Sequence, residues 1–379
     1  MKAKSIRGQT PGEIKQALDK SMQDGFKPSL AIVFMSVKQD RKAISSLFSQ
    51  HNIAISGATS NGEFIDGDLG KESIAALLLD MNPAHFEILF SEFGQRSPRE
   101  VSKELAKTAM DHFNEPAFLV TGCHMETDAE QMLYGFADIA GQKVSVYGGM
   151  AGDDFQFEDQ YVFTNEHETN RGVVVIALDE NKIKIKGRAT CGWKAVGTEK
   201  IVTKSEGNRV FTIDGEPALD ITARFGGLTD IAEDNAQLAM EIATNFPLQL
   251  QRDKGDPVMR PGLLVNWDDH SYYCSGTVPQ GSKVRFSLPP DFDVIEKVIS
   301  ASEELKASEM PEADAVILYS CAGRLLSLGP LMSKEIEGVK EIWNVPLVGM
   351  FSNGELGRAT GGELEMHNLT TCCVAIKEE

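Results

Sequence analysis

Ser60-Asn61-Gly62-Glu63-Phe64 returns as Ser352-Asn353-Gly354-Glu355-Leu356, identical at four of five positions and 292 residues further along. Each copy follows a short apolar run, Ile53 to Ile55 or Leu347-Val348-Gly349. Each precedes another, Ile74 to Leu79 or Thr371 to Ile376. A third glycine-rich turn, Gly148-Gly149-Met150-Ala151-Gly152-Asp153-Asp154, holds the same place between Val144 to Tyr147 and Gly172 to Leu178. One unit of strand, helix, strand, turn with a carboxylate, and strand therefore occurs three times.

The helices of this unit announce themselves by their caps. Thr10-Pro11-Gly12-Glu13, Ser97-Pro98-Arg99-Glu100 and Thr127-Asp128-Ala129-Glu130 each read as a capping box. Apolar residues follow at helical spacing, for example Ile14, Leu18 and Met22. Near the C-terminus Asp293 to Ala307 and Pro330 to Val339 read as helices, and Ala315 to Tyr319 as a strand. A helical crossover implies parallel pairing, and a short final connection allows an antiparallel strand. The expected class is α/β: mixed β-sheets with flanking helices, in repeated strand-helix-strand-strand units forming two related lobes beside a shared cleft. The repeat separation is far too long for a solenoid.

Between the second and third units the pattern changes. Ile183-Lys184-Ile185-Lys186 alternates like a half-exposed strand. Glu206-Gly207-Asn208 suits a hairpin turn, and Asp214-Gly215-Glu216-Pro217 opens a helix. Gly226-Gly227 marks the expected boundary, giving domains 26–225 and 226–376.

The chain has 379 residues, with 37 basic against 56 acidic side chains, a net charge of −19. Such a surface repels phosphate backbones, and there is no basic cluster to offset it, so nucleic acid is not an expected partner. No apolar run approaches the roughly 20 residues of a spanning helix. Met1 to Thr10 lacks an apolar signal core, and six cysteines without a CxxC pair suit reduced thiols, so a cytoplasmic location is expected.

Taken together, these motifs resemble the FIST family, in both its N-terminal and C-terminal domains. The N-terminal match rests on Gly57 to Glu63, Gly148 to Asp154, Gly192-Trp193, Val202 to Asn208 and Ile213 to Leu219. The C-terminal match rests on Phe246-Pro247-Leu248, Ser320-Cys321-Ala322-Gly323-Arg324, Val345 to Gly349, Phe351 to Glu355 and His367-Asn368-Leu369-Thr370. The resemblance implies a sensory protein of bacterial signal transduction that binds small ligands such as amino acids. It also implies a separate output partner: a histidine kinase, a cyclase or a chemotaxis protein. Some FIST-like proteins are similar to haem-based nitric oxide sensors, but they carry His-Phe where this chain has Gly192-Trp193. No cofactor is therefore expected, with haem as the alternative.

The candidate ligand-binding residues are the turns themselves: Ser60, Asn61, Gly62, Glu63, Gly149, Gly152, Asp153, Asp154, Ser352, Asn353, Gly354 and Glu355. Glycine lets a ligand approach backbone N–H donors, and the carboxylate would accept an ammonium group. Arg324, beside Cys321, could clamp a carboxylate, and Trp193 could form a flat wall. Catalysis is poorly supported. There is no GxSxG elbow, no HxH or HExxH metal spacing, and Cys123-His124 are merely neighbours in sequence. The rival from another class is a hydrolase using a carboxylate or cysteine in the same cleft.

Overall fold

The computed structural model describes residues 1–124, 126–228, 245–288 and 291–379. It confirms a mixed α/β architecture and shows how the three units combine. Unit 1 contains strands β1 (Ala3–Gly8), β2 (Leu30–Ser36), β3 (Ala54–Ser60), β4 (Glu63–Ile65), β5 (Asp68–Leu69) and β6 (Ile74–Leu79). Unit 2 contains β7 (Phe86–Glu92), β8 (Pro116–Gly122), β9 (Val146–Met150), β10 (Val162–Phe163), β11 (Glu168–Thr169) and β12 (Gly172–Asp179). Unit 3 opens with β13 (Ile183–Thr190). An insert then carries β14 (Ala195–Glu206), β15 (Arg209–Ile213), β16 (Glu216–Pro217), β17 (Leu248–Leu250), β18 (Val258–Arg260), β19 (Gly262–Asn266), β20 (Ser271–Cys274) and β21 (Lys283–Ser287). Unit 3 resumes with β22 (Ala315–Cys321), β23 (Leu347–Ser352), β24 (Glu355–Arg358), β25 (Leu364–His367) and β26 (Thr371–Glu378).

The strand orders are β1-β6-β2-β3, β7-β12-β8-β9 and β13-β26-β22-β23, so the three units repeat one topology. In each, the last two strands are parallel, and their registers end on Ser36↔Ser60, Gly122↔Met150 and Cys321↔Ser352. Each unit then gives its following hairpin away. β4–β5 extends β23, β10–β11 extends β3, and β24–β25 extends β9. The exchange runs in a closed cycle, so every unit both lends and receives a hairpin.

The sequence explains the layering. Fully buried strands such as β2, β8 and β22 read as continuous apolar runs because both faces are covered. Their inner faces meet in one core that contains Phe34, Leu119, Ile176, Ile317 and Tyr319. Their outer faces are covered by helices: α1 (Pro11–Ser21) and α2 (Arg41–Gln50) in unit 1, α3 (Pro98–His112) and α4 (Ala129–Ala140) in unit 2. The insert contributes α5 (Ala218–Phe225). Unit 3 is covered by α6 (Asp293–Ser308), α7 (Ala322–Leu328) and α8 (Met332–Trp343). The Ser97/Glu100 capping box forms with both of its hydrogen bonds. At α4 the cap is Asp128, not Thr127, because Thr127 Oγ1 donates back to Cys123 O (2.9 Å). The helix expected over Pro330 to Val339 starts later, at Met332, after a 3₁₀ turn at Gly329–Leu331.

The insert is an antiparallel sheet ordered β18-β17-β21-β14-β15-β20-β19, with its own core around Val210, Leu219 and Phe286. It leaves and rejoins the head at a narrow neck. A Cβ on Gly192 would lie 3.1 Å from Val294 Cα, Leu288 N donates to Lys194 O (3.1 Å), and Lys194 pairs with Asp291 and Asp293. The sequence-based boundary at 225/226 falls inside this insert.

Two cuts should therefore behave differently. Fragments 1–225 and 226–379 each hold strands that complete the other's sheets, so each is expected to be insoluble when expressed alone and soluble when the two are co-expressed. Replacing residues 195–287 with a short linker should leave a cooperatively unfolding head. Circular dichroism melts of the three preparations check this; an independently folded 1–225 fragment would contradict the closed exchange.

Candidate ligand-binding cleft

The three turns meet where the parallel strand pairs end, and they hold one another. Asn61 Nδ2 donates to Asn353 Oδ1 (2.8 Å), and Asn353 Nδ2 donates to Ala151 O (2.9 Å). Asn61 Oδ1 accepts from Asp153 N (3.2 Å) and Phe155 N (2.9 Å). Backbone bonds continue the pattern: Asn61 N to Phe351 O (2.9 Å), Phe351 N to Gly62 O (2.8 Å), Met150 N to Gly354 O (2.8 Å) and Gly152 N to Thr59 O (2.9 Å). Gly152 is required by this closeness, since a Cβ there would sit 2.4 Å from Asn61 Nδ2. Gly149 likewise lies against Tyr319 and Ser352.

The turn carboxylates face inward. Glu63 is fully buried and accepts from Ser60 Oγ (2.8 Å), Ser73 N (2.8 Å) and Ser73 Oγ. Glu355 is fully buried and accepts from Ser352 Oγ (2.8 Å). Burial raises both carboxyls above their ordinary range, Glu355 strongly, against the lowering effect of these hydrogen bonds. Asp153 Oδ2 accepts from Glu158 N (2.7 Å) and Gln160 Nε2 (2.9 Å), and Asp154 Oδ2 from Ser36 Oγ (2.6 Å). The loop they anchor holds Asp154, Phe155 and Phe157 at positive φ, which is uncommon for phenylalanine.

Arg324 is also committed. Its guanidinium donates to Glu335, to Cys191 O (2.7 Å) and to Leu369 O (3.2 Å), and it lies 5.2 Å from the Trp193 ring. Arg324 and Glu335 have no exposed side-chain surface, and Thr371 Oγ1 donates to Glu335 Oε1 (2.6 Å). Cys321 and Trp193 are buried in the same unit.

Open space lies just beyond the turns. A cavity of about 470 Å³ separates the head from the insert, lined by His124, Thr127, Met150, Ala151, Gln160 and Asn353 on one side. Leu263, Leu264, Tyr273, Cys274 and Ser275 line the other. A second cavity of about 410 Å³ shares Glu126, Thr127, Asn208, Ser275 and Met366 with it and adds Asp128, Glu130, Gly207 and Thr277. The two form one elongated cleft. Of the residues proposed from sequence, Asn353 lines it; Asn61, Gly152 and Asp153 form the layer behind, and Glu63, Glu355, Cys321, Arg324 and Trp193 belong to the packed body.

The cleft lining is acidic and amide-rich. It offers Glu126, Asp128 and Glu130, with Gln160, Asn208 and Asn353, and no lysine or arginine among the described lining residues. Arg260 stands behind the wall, fully buried, and fastens the insert to the head. It donates to Glu130 Oε1 (2.5 Å), Met366 O (3.1 Å) and Asn368 Oδ1 (3.4 Å). Burial raises the Glu130 carboxyl in spite of this cation. Sequence reasoning treated His124 as unrelated to any site and Asn208 as a turn residue only; their convergence depends on the insert folding over unit 2. The thiols of Cys123 and Cys274 are pushed up to about 12 by burial, which disfavours them as nucleophiles. No group of three or more metal-ligating side chains occurs among the described residues, and no described helix is long and apolar enough to cross a membrane.

The strand ends of the repeated α/β head face a cleft bounded by the insert, the position at which ligand sites of α/β folds commonly lie. The sequence matches the FIST N domain over residues 29–216 and the FIST C domain over 218–358, and the chain belongs to the FIST family. FIST domains are associated with sensory signal transduction and small-ligand binding. No curated protein matches the chain.

Two variants test the buried charges. For Glu355 the folded-state value is raised, so its contribution is complete below the unfolded value near 4.5 and is lost as pH rises toward the folded value. Glu355→Gln removes this dependence, and its melting temperature relative to the parent should climb as pH rises above the unfolded value near 4.5; parallel pH profiles would contradict the assignment. Glu335→Gln strands the Arg324 cation and should cost about 3–5 kcal/mol in denaturant titrations. The double change Arg324→Met/Glu335→Leu should recover most of that.

Proposed function

We propose that this protein is a sensor whose cleft binds a small ammonium-bearing molecule, an amino acid being the class the sequence suggests. Its occupancy would be read by a separate signalling partner. The observation that carries this reading is the cleft itself. It lies at the ends of the parallel strands and is walled by both the head and the insert. It presents the exposed carboxylates of Glu126 and Asp128 without a lining lysine or arginine among the described residues, Glu130 being paired with Arg260. Carboxylates attract an ammonium group and repel phosphate, while side-chain amides and the Thr127 and Ser275 hydroxyls suit the other polar end of a zwitterion. The insert is held at its neck and by Arg260, so a ligand touching both walls favours one insert position over others.

The test is a thermal-shift screen of amino acids, amines, organic acids and nucleotides, followed by calorimetry on Glu126→Gln. An ammonium ligand should stabilise the parent, and its affinity should fall by about 1.5 kcal/mol or more in the variant. Stabilisation by nucleotides or simple organic acids alone would defeat the proposal. An absorption spectrum of the same sample checks the haem alternative, which a Soret band surviving desalting would favour.

A further inference from the structure

The cleft is larger and more divided than a single amino acid requires. Its two compartments, about 410 and 470 Å³, lie in the range that holds a drug-sized ligand. They differ in chemistry. The first is acidic, with Glu126, Asp128 and Glu130 in its wall. The second is lined by Met150, Leu263, Leu264 and Tyr273, and Glu126 and Met366 stand where the two meet.

The apolar compartment has a further property. Leu263 and Leu264 belong to β19, which among the described strands pairs only with β20 and so forms an edge of the insert's sheet. Its sequence, Gly262-Leu263-Leu264-Val265-Asn266, contains no charge and no proline; the protections present are a bulge between Gly262 and Leu264 and the Pro261 before it, which leave Leu264 to Asn266 as the regular edge. Leu263 and Leu264 are 42% and 63% exposed. An extended peptide could pair with such an edge through its backbone while its side chains lie on the neighbouring apolar surface. The acidic compartment would then receive the positive end of that peptide.

We propose that the cleft binds the N-terminal end of a short extended peptide, its α-ammonium between Glu126 and Asp128 and its apolar side chains against Leu263 and Leu264. This rests on the sensor reading above and specifies what that cleft accommodates. Charge complementarity sets the direction of the chain. The edge of β19 that no described strand pairs would supply affinity beyond that of a free amino acid, since main-chain hydrogen bonds add to the ammonium contact.

The probes are leucyl-alanyl-leucyl-alanine amide, its N-acetylated form, a form with alternate backbone amides methylated, and free leucine, each titrated calorimetrically into the full chain. The free-amine peptide should bind, with acetylation and backbone methylation each weakening it by roughly tenfold or more. Free leucine should bind at least roughly tenfold more weakly than the peptide. Leu264→Asp, a change at an exposed position, should weaken the peptide and leave the melting temperature of the unliganded protein unchanged. Equal or tighter binding of free leucine with no peptide binding overturns the peptide assignment and leaves the sensor reading standing. Peptide binding indifferent to acetylation, to methylation or to Leu264→Asp overturns it too. If neither probe binds while another ammonium compound does, the peptide assignment fails alone; if no ammonium compound binds, both fail.

Discussion

The head depends on an exchange that no unit can complete alone. After its parallel strand pair, each unit turns sharply and adds a hairpin to a neighbour's sheet. The turn must therefore sit at the join between two units, and three such joins close the ring. The Asn61 to Asn353 hydrogen bond and the Asn353 to Ala151 bond lie at the centre of this closure. Polar side chains in such a place either find partners or cost free energy, and here the partners are other turns.

This explains why the most conspicuous motif buries its carboxylates and reaches the cleft only at its rim. Glu63 and Glu355 hold their own turns through the serine three residues before them. They leave Asn353 to reach the cleft wall. Arg324 plays a similar internal part, joining Glu335 to the carbonyl of Cys191 near the neck. The acidic groups that do face open space, Glu126 and Asp128, lie in the loop and helix cap after β8, while Glu130 is tied to the insert by Arg260.

Much of the fold was legible because it is local. The threefold succession of strand, helix, strand and turn along the chain, the Ser97 cap, the Gly207-Asn208 hairpin turn and the buried runs follow from propensity and pattern. β1 was not legible: Lys4 and Arg7 interrupt its apolar residues, and it is an edge strand stabilised by pairing with β6. The hairpin exchange was invisible because β4 and β24 are short and could equally extend their own sheets; only packing decides. The direction of Glu63 was hidden for a related reason. Ser73, which donates to it twice, is ten residues away and across β4 and β5. The cleft was the least legible part, since its walls come from segments about 150 residues apart in sequence, such as His124 and Ser275.

The insert occupies the connection between the first strand and first helix of unit 3. The corresponding connections in units 1 and 2, after Gly8 and after Glu92, are only a few residues long. A body with three equivalent corners thus bears its lid at one of them. The consequence is asymmetry: among the described residues, a scaffold that is threefold in its topology carries the insert, and the cleft beneath it, at one corner. The head thereby has a built-in orientation, the corner that carries the insert differing from the other two.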